Sequence, residues 1–252
     1  MVDLRNVEWN LVSKTSGGML PKSLYKDKFY KLSNYNQVDG FYTNEPIYEE
    51  LAYKIGELYE LNVVKTNTEL AKVMYNNKEY EAYVAISDRY DTKNQYLPIE
   101  KYCIINKIKP LELLKNDKYK EDLMKIIQFD FLINNIDRHG RNIEINDSEI
   151  APIFDNSLSF FSKVGDNILV DKLIFEVFNS NNYIGSSNLK NNLDFTDKIY
   201  ISKIDDKILD KVIENWLNKF NINKTRENFI KKLLKERYKM LENKFRGGLS
   251  WQ

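Results

Sequence analysis

Leu123, Ile126, Ile127, Asp130 and Phe131 fall at i, i+3, i+4, i+7 and i+8, the spacing of one helical face. The stripe Ile208, Leu209, Val212, Ile213, Trp216, Leu217, Phe220 repeats that period, and so does Phe229, Leu233, Leu234, Tyr238, Leu241, Phe245. Such stripes predict helices whose apolar faces turn inward. The first ninety residues read differently. "KFYKLSN" (28–34) is short, aromatic and partly alternating, which predicts a strand. "NEPIYEELAYKIGELYEL" (44–61) predicts a helix with proline in its first turn and Ile47, Leu51, Ile55, Leu58 and Tyr59 on its apolar side. "ELAKVMYNNKEYEAYVAIS" predicts a hairpin turning at Asn76-Asn77. The polar stretch "DRYDTKNQYLPIEKY" then separates the two textures. The pattern predicts an α+β chain: a strand-rich part with one helix over 1–90, a hinge near 86–91, and a helical part over 91–252.

Composition narrows the classes without choosing a function. A hydrophobic content of 42% with 13% aromatics supports a sizeable core. Lys+Arg 38 against Asp+Glu 37 gives a net charge of +1, so direct nucleic-acid binding over a broad basic surface is not expected. The single cysteine, Cys103, excludes an internal disulfide framework and a cysteine-based zinc cluster. "MVDLRNVEWNLVSK" has no apolar signal core, and no run approaches the ~18 apolar residues of a membrane span. A cytoplasmic protein is the expectation.

The chemistry concentrates in "LINNIDRHGRNIEI", which holds the only histidine, and in "APIFDNSLSF". A helix ending at Asn134-Asn135 delivers Asp137 into a loop, and Gly140 permits a tight backbone there. Five residues on, Asn142 begins a short extended run. "EIAPIFD" predicts a second strand ending at Asp155, and a hairpin joining the two runs brings Asn142 near Asp155. Aspartate and asparagine are common loop residues, since their side chains bond nearby backbone. The joint spacing Asp-Arg-His-x-x-x-Asn with Ile-Phe-Asp is more specific. Phosphoryl transfer from ATP asks for such a set: Asn142 and Asp155 as oxygen ligands of Mg2+, and Asp137 to accept or orient the proton of the attacking hydroxyl. A lone histidine is more often packed and hydrogen-bonded than catalytic, so His139 reads as a structural brace of the loop ahead of direct chemistry, and no second histidine or cysteine pair accompanies it for a metal site.

These two stretches resemble the catalytic and metal-binding loops of HipA-like serine/threonine kinases, with Phe154 where the family usually has tyrosine. The resemblance implies a bilobal protein-kinase-like fold with a small strand-rich lobe and a larger helical one, Asp137 as catalytic base, and Asn142 and Asp155 as magnesium ligands. "FYKLSN" resembles the strand carrying the ATP-contacting lysine, which implies Lys31. The following helix implies Glu49 as its partner, with Glu45 and Glu50 as rivals. "VSKTSGGMLPKSL" is similar to the phosphate-covering loop, implying contacts from Ser16, Gly17 and Gly18, and Ser13, Thr15 or Ser16 as autophosphorylation targets. It departs from the family pattern at Lys14 and is one residue longer before Lys22. "YVAISDRYD" resembles the hinge, so Ser87, Asp88 and Tyr90 are implied to hold adenine. Many family members carry an extra N-terminal segment, so the resemblance implies a compact member.

Three functions follow as expectations. The first is an ATP- and Mg2+-dependent Ser/Thr protein kinase, either the toxin of a toxin–antitoxin pair with an antitoxin partner or a secreted effector. The second is a phosphoinositide or small-molecule kinase. The third is a pseudokinase that binds a nucleotide or a partner. Lys31, Asp137, Asn142 and Asp155 occurring together speak against the third.

Overall fold

The computed structural model describes residues 1–9, 20–90, 95–176 and 179–246. The first part of the chain builds a five-stranded sheet from β1 (Val2–Leu4), β2 (Lys22–Tyr25), β3 (Lys28–Leu32), β6 (Thr66–Tyr75) and β7 (Lys78–Asp88), in the order β1-β6-β7-β3-β2. A small hairpin, β4 (Tyr35–Asn36) and β5 (Gly40–Phe41), and helix α1 (Glu45–Leu58) intervene between β3 and β6. The β6–β7 hairpin turns at Asn76 and Asn77, with φ +49 and +60. Two consecutive left-handed residues match the strand twist, and asparagine tolerates that conformation. Along β6 the buried side switches. Thr66 and Thr68 are buried, with Thr68 bonded beneath α1 to the Pro46 carbonyl, whereas Ala71, Val73 and Tyr75 are buried at the other end. α1 covers only one end of the sheet, and a small cluster of Leu4, Tyr30, Leu32, Ala71, Val73 and Val84 fills the rest.

The second part is helical: α2 (Ile99–Asn106), α3 (Pro110–Leu113), α4 (Asp117–Ile133), α5 (Lys172–Phe175), α6 (Leu189–Asn192), α7 (Asp206–Phe220) and α8 (Lys224–Phe245), with short strands β8 (Leu97–Pro98) and β9 (Glu144–Ile145) paired to each other. Their stripes lie in one large core that also holds Ile47, Leu51 and Ile55 of α1. α1 therefore belongs to both parts: Trp216 of α7 donates its indole N–H to the Ile47 carbonyl at 2.8 Å, and Lys219 bonds Glu50 at 2.7 Å. Ile208, a member of the predicted α7 stripe, is about half exposed at 52%, so the packed face is the narrower set Leu209, Ile213, Trp216, Phe220. The fold is α+β, with the sheet and the helices meeting across α1. No helix among the described residues is long and apolar enough to cross a membrane.

The expected strand ending at Asp155 does not form as one run. Ile150 bridges to Ile145, but Ile153 turns away and bridges in parallel to Val63, just beyond α1. The Ile153 carbonyl accepts from the Val64 amide at 2.9 Å, and the Ile153 amide donates to the Asn62 carbonyl at 2.7 Å. The segment before Asp155 is thus shared between β9 and the end of α1, and that division carries Asp155 toward the sheet.

Candidate active site

α4 stops at Asn134, whose left-handed backbone (φ 55, ψ 48) closes the helix. The loop that follows is built around a buried ion pair. Arg138, 3% exposed, grips Asp130, also 3% exposed, with its Nε at 3.0 Å and its Nη2 at 2.9 Å. Its Nη1 donates to the carbonyls of Asn142 at 3.0 Å and Phe154 at 2.6 Å, and its Nη2 also reaches the side chain of Asn156. One guanidinium thus ties the end of α4, the Asp137–Asn142 loop and the Phe154–Asn156 loop together. Burial pushes the Asp130 carboxyl up, against the pull of Arg138, and Asp130 in turn raises Arg138 despite its burial. Within the loop, the Asp137 amide donates to Asn135 Oδ1 at 3.1 Å and Asn142 Nδ2 donates to the Asp137 carbonyl at 2.8 Å.

Asp155 has φ +56, an uncommon conformation for a residue with a Cβ. Its Oδ1 contacts Lys31 Nζ directly, and its Oδ2 lies 3.9 Å from Lys22 Nζ. Lys22 and Lys31 face each other in the β2–β3 register, so two cations flank one carboxylate. Lys31 Nζ also lies 3.3 Å from Glu49 Oε2 and 2.8 Å from the Ser157 hydroxyl. The other oxygen of Glu49 accepts the Asn156 amide at 2.8 Å, so Glu49 fixes the lysine and the backbone just past Asp155 together. Burial by itself would raise the Asp155 carboxyl, but Lys31, Lys22 and Arg138 outweigh it and hold it well below the usual carboxylate range. Burial would likewise lower Lys31, yet Asp155 and Glu49 carry it upward. Lys22 has no such surplus, and burial pulls it down. The rivals of Glu49 are engaged elsewhere. Glu45 accepts from Asn34 and Thr43, and Glu50 from the Thr68 amide and Lys219.

Asn142 Oδ1 is buried without a hydrogen-bond partner among the described residues. A buried amide oxygen left unpaired is costly, and a bound cation is one of the groups that could satisfy it. The Asn142 oxygen and the Asp155 carboxylate are hard oxygen donors of the kind that could hold Mg2+, which commonly takes one or two protein ligands and completes its shell with phosphate and water. No group of three or more His, Cys, Asp or Glu side chains able to hold a metal occurs among the described residues.

The remaining expected residues divide. His139 accepts the Arg141 amide on Nδ1 at 3.2 Å, and its Nε2 lies 3.9 Å from Asp137 Oδ2, beyond bonding distance. Gly140 is not in a left-handed conformation; its role is space, since a Cβ would come within 2.8 Å of the Tyr183 ring and 2.9 Å of Glu100 Cβ. Ser87 and Asp88 are not loop residues: β7 runs through both, Ser87 is paired with Phe29 and Thr66, and the Asp88 amide donates to the Lys65 carbonyl at 3.1 Å. That amide is therefore engaged within the fold. Tyr90, just past the strand, stacks on Phe154 at 5.5 Å and 26° and bonds Glu144 at 2.8 Å. Ser13, Thr15, Ser16, Gly17 and Gly18 lie outside the described residues. Sequence reading missed Lys22, Asn156, Ser157 and the Asp130–Arg138 pair. The available signal for the last was an ionisable residue at an apolar-stripe position.

No family model matches the sequence, and a search of curated proteins returns no match. Solved structures do match. A proinflammatory kinase of Helicobacter pylori, CtkA, superposes with a TM-score of 0.63 at 20% identity over 95% of each chain. HipA of Shewanella oneidensis MR-1, solved with HipB and operator DNA, gives a TM-score of 0.49 at 12% identity over 95% of this chain and 68% of that one. The first comparison shows that the chain has a kinase fold.

Proposed function

We propose that the protein is an ATP- and Mg2+-dependent kinase that transfers the γ-phosphoryl group to a serine or threonine hydroxyl of a protein. The observation that carries this reading is the Lys31 ammonium held between Glu49 and Asp155, with the unpartnered Asn142 oxygen on the loop that Arg138 ties to Phe154 and Asn156 on either side of Asp155. In this reading Lys31, fixed by Glu49, binds the triphosphate, and Asn142 and Asp155 hold Mg2+, which when bound neutralises phosphate charge. Asp137 takes the proton of the acceptor hydroxyl as its oxygen bonds to phosphorus and the bond to ADP breaks. Tyr90 and Phe154 supply an aromatic wall for the base. Catalysis is then mostly positioning and charge stabilisation. The kinase fold shared with CtkA supports the reaction class. The acceptor, an antitoxin partner and an effector role belong to the same proposal.

Mass spectrometry of the purified protein after incubation with Mg-ATP, alone and with a generic protein acceptor, tests it. Phosphate on serine or threonine is expected. Transfer only to lipid vesicles would favour the phosphoinositide-type reading, and no transfer to either would remove the kinase reading.

A further inference from the structure

The segment Asn179–Asn188 lies alongside the Asp137 loop. It closes on itself: Asn179 bridges Asn188, and the Ser180 amide donates to the Ser187 carbonyl at 2.6 Å. It is fastened to the loop by two backbone bonds, Asn181 N–H to the Ile136 carbonyl at 2.8 Å and Tyr183 N–H to the Arg138 carbonyl at 3.0 Å. The Tyr183 ring fills the space that Gly140 leaves open. This alternation sets the Asn181 side chain beside Asp137, and its Nδ2 donates to Asp137 Oδ1 at 3.1 Å. Only the amide nitrogen can donate to a carboxylate, so the orientation of that amide is fixed by its partner.

The geometry points to Asn181 as a positioning residue for phosphoryl transfer, its amide holding one oxygen of Asp137 so that the other is presented to the acceptor hydroxyl. Asp137 Oδ2 takes no hydrogen bond among the described residues; His139 Nε2 stands 3.9 Å away, beyond bonding distance. The two oxygens are thus differentiated: one is engaged, and the other is left to accept a proton. The side-chain bond is not needed to fasten the segment, because two backbone bonds do that already, and Asn181 itself is exposed. What the amide adds is the rotation of one carboxylate. The inference rests on the kinase reading.

The test compares wild type with Asn181→Ala and the isosteric Asn181→Asp in Mg-ATP phosphate transfer to itself and to dephosphorylated casein, with Mg-ATP thermal stabilisation measured alongside. Losing the donor should lower kcat roughly 10- to 100-fold, the scale of a misplaced reacting group. KM for ATP and the stabilisation by Mg-ATP should stay within about twofold, because among the described residues Asn181 bonds none of those assigned to the nucleotide. Asn181→Asp should be slower than Asn181→Ala, since it sets a second carboxylate against Asp137. Active wild type with undiminished variants would overturn the positioning role and leave the kinase reading standing. Loss of Mg-ATP stabilisation together with transfer would assign Asn181 a merely structural role and also overturn it. Inert wild type would remove the kinase reading, and this inference with it.

Discussion

The ammonium of Lys31 sits between two carboxylates, 3.3 Å from Glu49 and in direct contact with Asp155. The lysine and the aspartate therefore engage each other directly. Lys31→Met leaves Asp155 with Lys22 as its nearest cation, and Glu49 without its charge partner. The side chains are largely buried, 14% and 22% exposed for Lys31 and Asp155. The expected cost is about 1–3 kcal/mol, below that of a fully buried broken pair because Lys22 remains. Urea denaturation without added metal measures it, and stability equal to wild type would contradict the geometry.

Asp130 and Arg138 form the structural centre of the site. Asp130→Ala strands a buried guanidinium, and roughly 3–5 kcal/mol of destabilisation is expected. The double replacement Asp130→Leu with Arg138→Met removes both charges and should be less destabilising than Asp130→Ala alone. It should still impair phosphate transfer, because Arg138 also holds the Asn142 and Phe154 carbonyls. Denaturation midpoints and transfer assays on the two variants separate these effects.

The contrast between that pair and the rest of the site shows what the sequence carries. The helix around Glu49, the turn at Asn76-Asn77 and the three amphipathic stripes are local patterns, and local periodicity predicts them. Asp137 and Asn142 share one short loop, so their spacing already limits where they can go. Asp130 was legible only as a member of the stripe; its meaning depends on Arg138 folding back eight residues later. The course of 150–155 was misread as one strand because the partner of Ile153 is Val63, some ninety positions earlier. Ser87 and Asp88, expected near the hinge, form the end of β7, because a strand paired on both sides outlasts its apolar pattern. Lys22 and Asn181 meet Asp155 and Asp137 only through tertiary register, which no spacing encodes.

Gly140 has Tyr183 on one side and Glu100 on the other, both within 2.9 Å of an added Cβ. Gly140→Ala must displace the ring or the Asp137 loop, an overpacking cost of about 1–3 kcal/mol. Because Tyr183 anchors the segment bearing Asn181, transfer should fall more than Mg-ATP binding. Wild-type stability together with wild-type transfer would contradict the packing described.

Glu227, in the first turn of α8, is bonded by Lys224 at 2.6 Å and Lys231 at 2.5 Å. Burial would raise its carboxyl, but the two ammonium groups outweigh burial and hold it below the usual range. A depressed carboxyl contributes stability in full above its unfolded pKa of about 4.3, and the contribution fades as pH falls through the lower folded value. The neighbouring Arg226 clasps the carbonyls of Phe161 and Val164 beyond Asp155, so this turn supports the site. Denaturation of wild type and Glu227→Gln between pH 3 and about 6 should show the wild type losing its advantage on the acid side. Parallel curves would contradict the assignment.

The central claim is that Lys31, Asn142 and Asp155 hold Mg-ATP while Asp137 serves the acceptor hydroxyl. Its most direct test is phosphate transfer from γ-labelled ATP by wild type and Asp137→Ala, each first checked for thermal stabilisation by Mg-ATP. Both should be stabilised, and the variant should transfer at least about 100-fold more slowly, the scale of a general-base contribution. Equal transfer by the two proteins would contradict it.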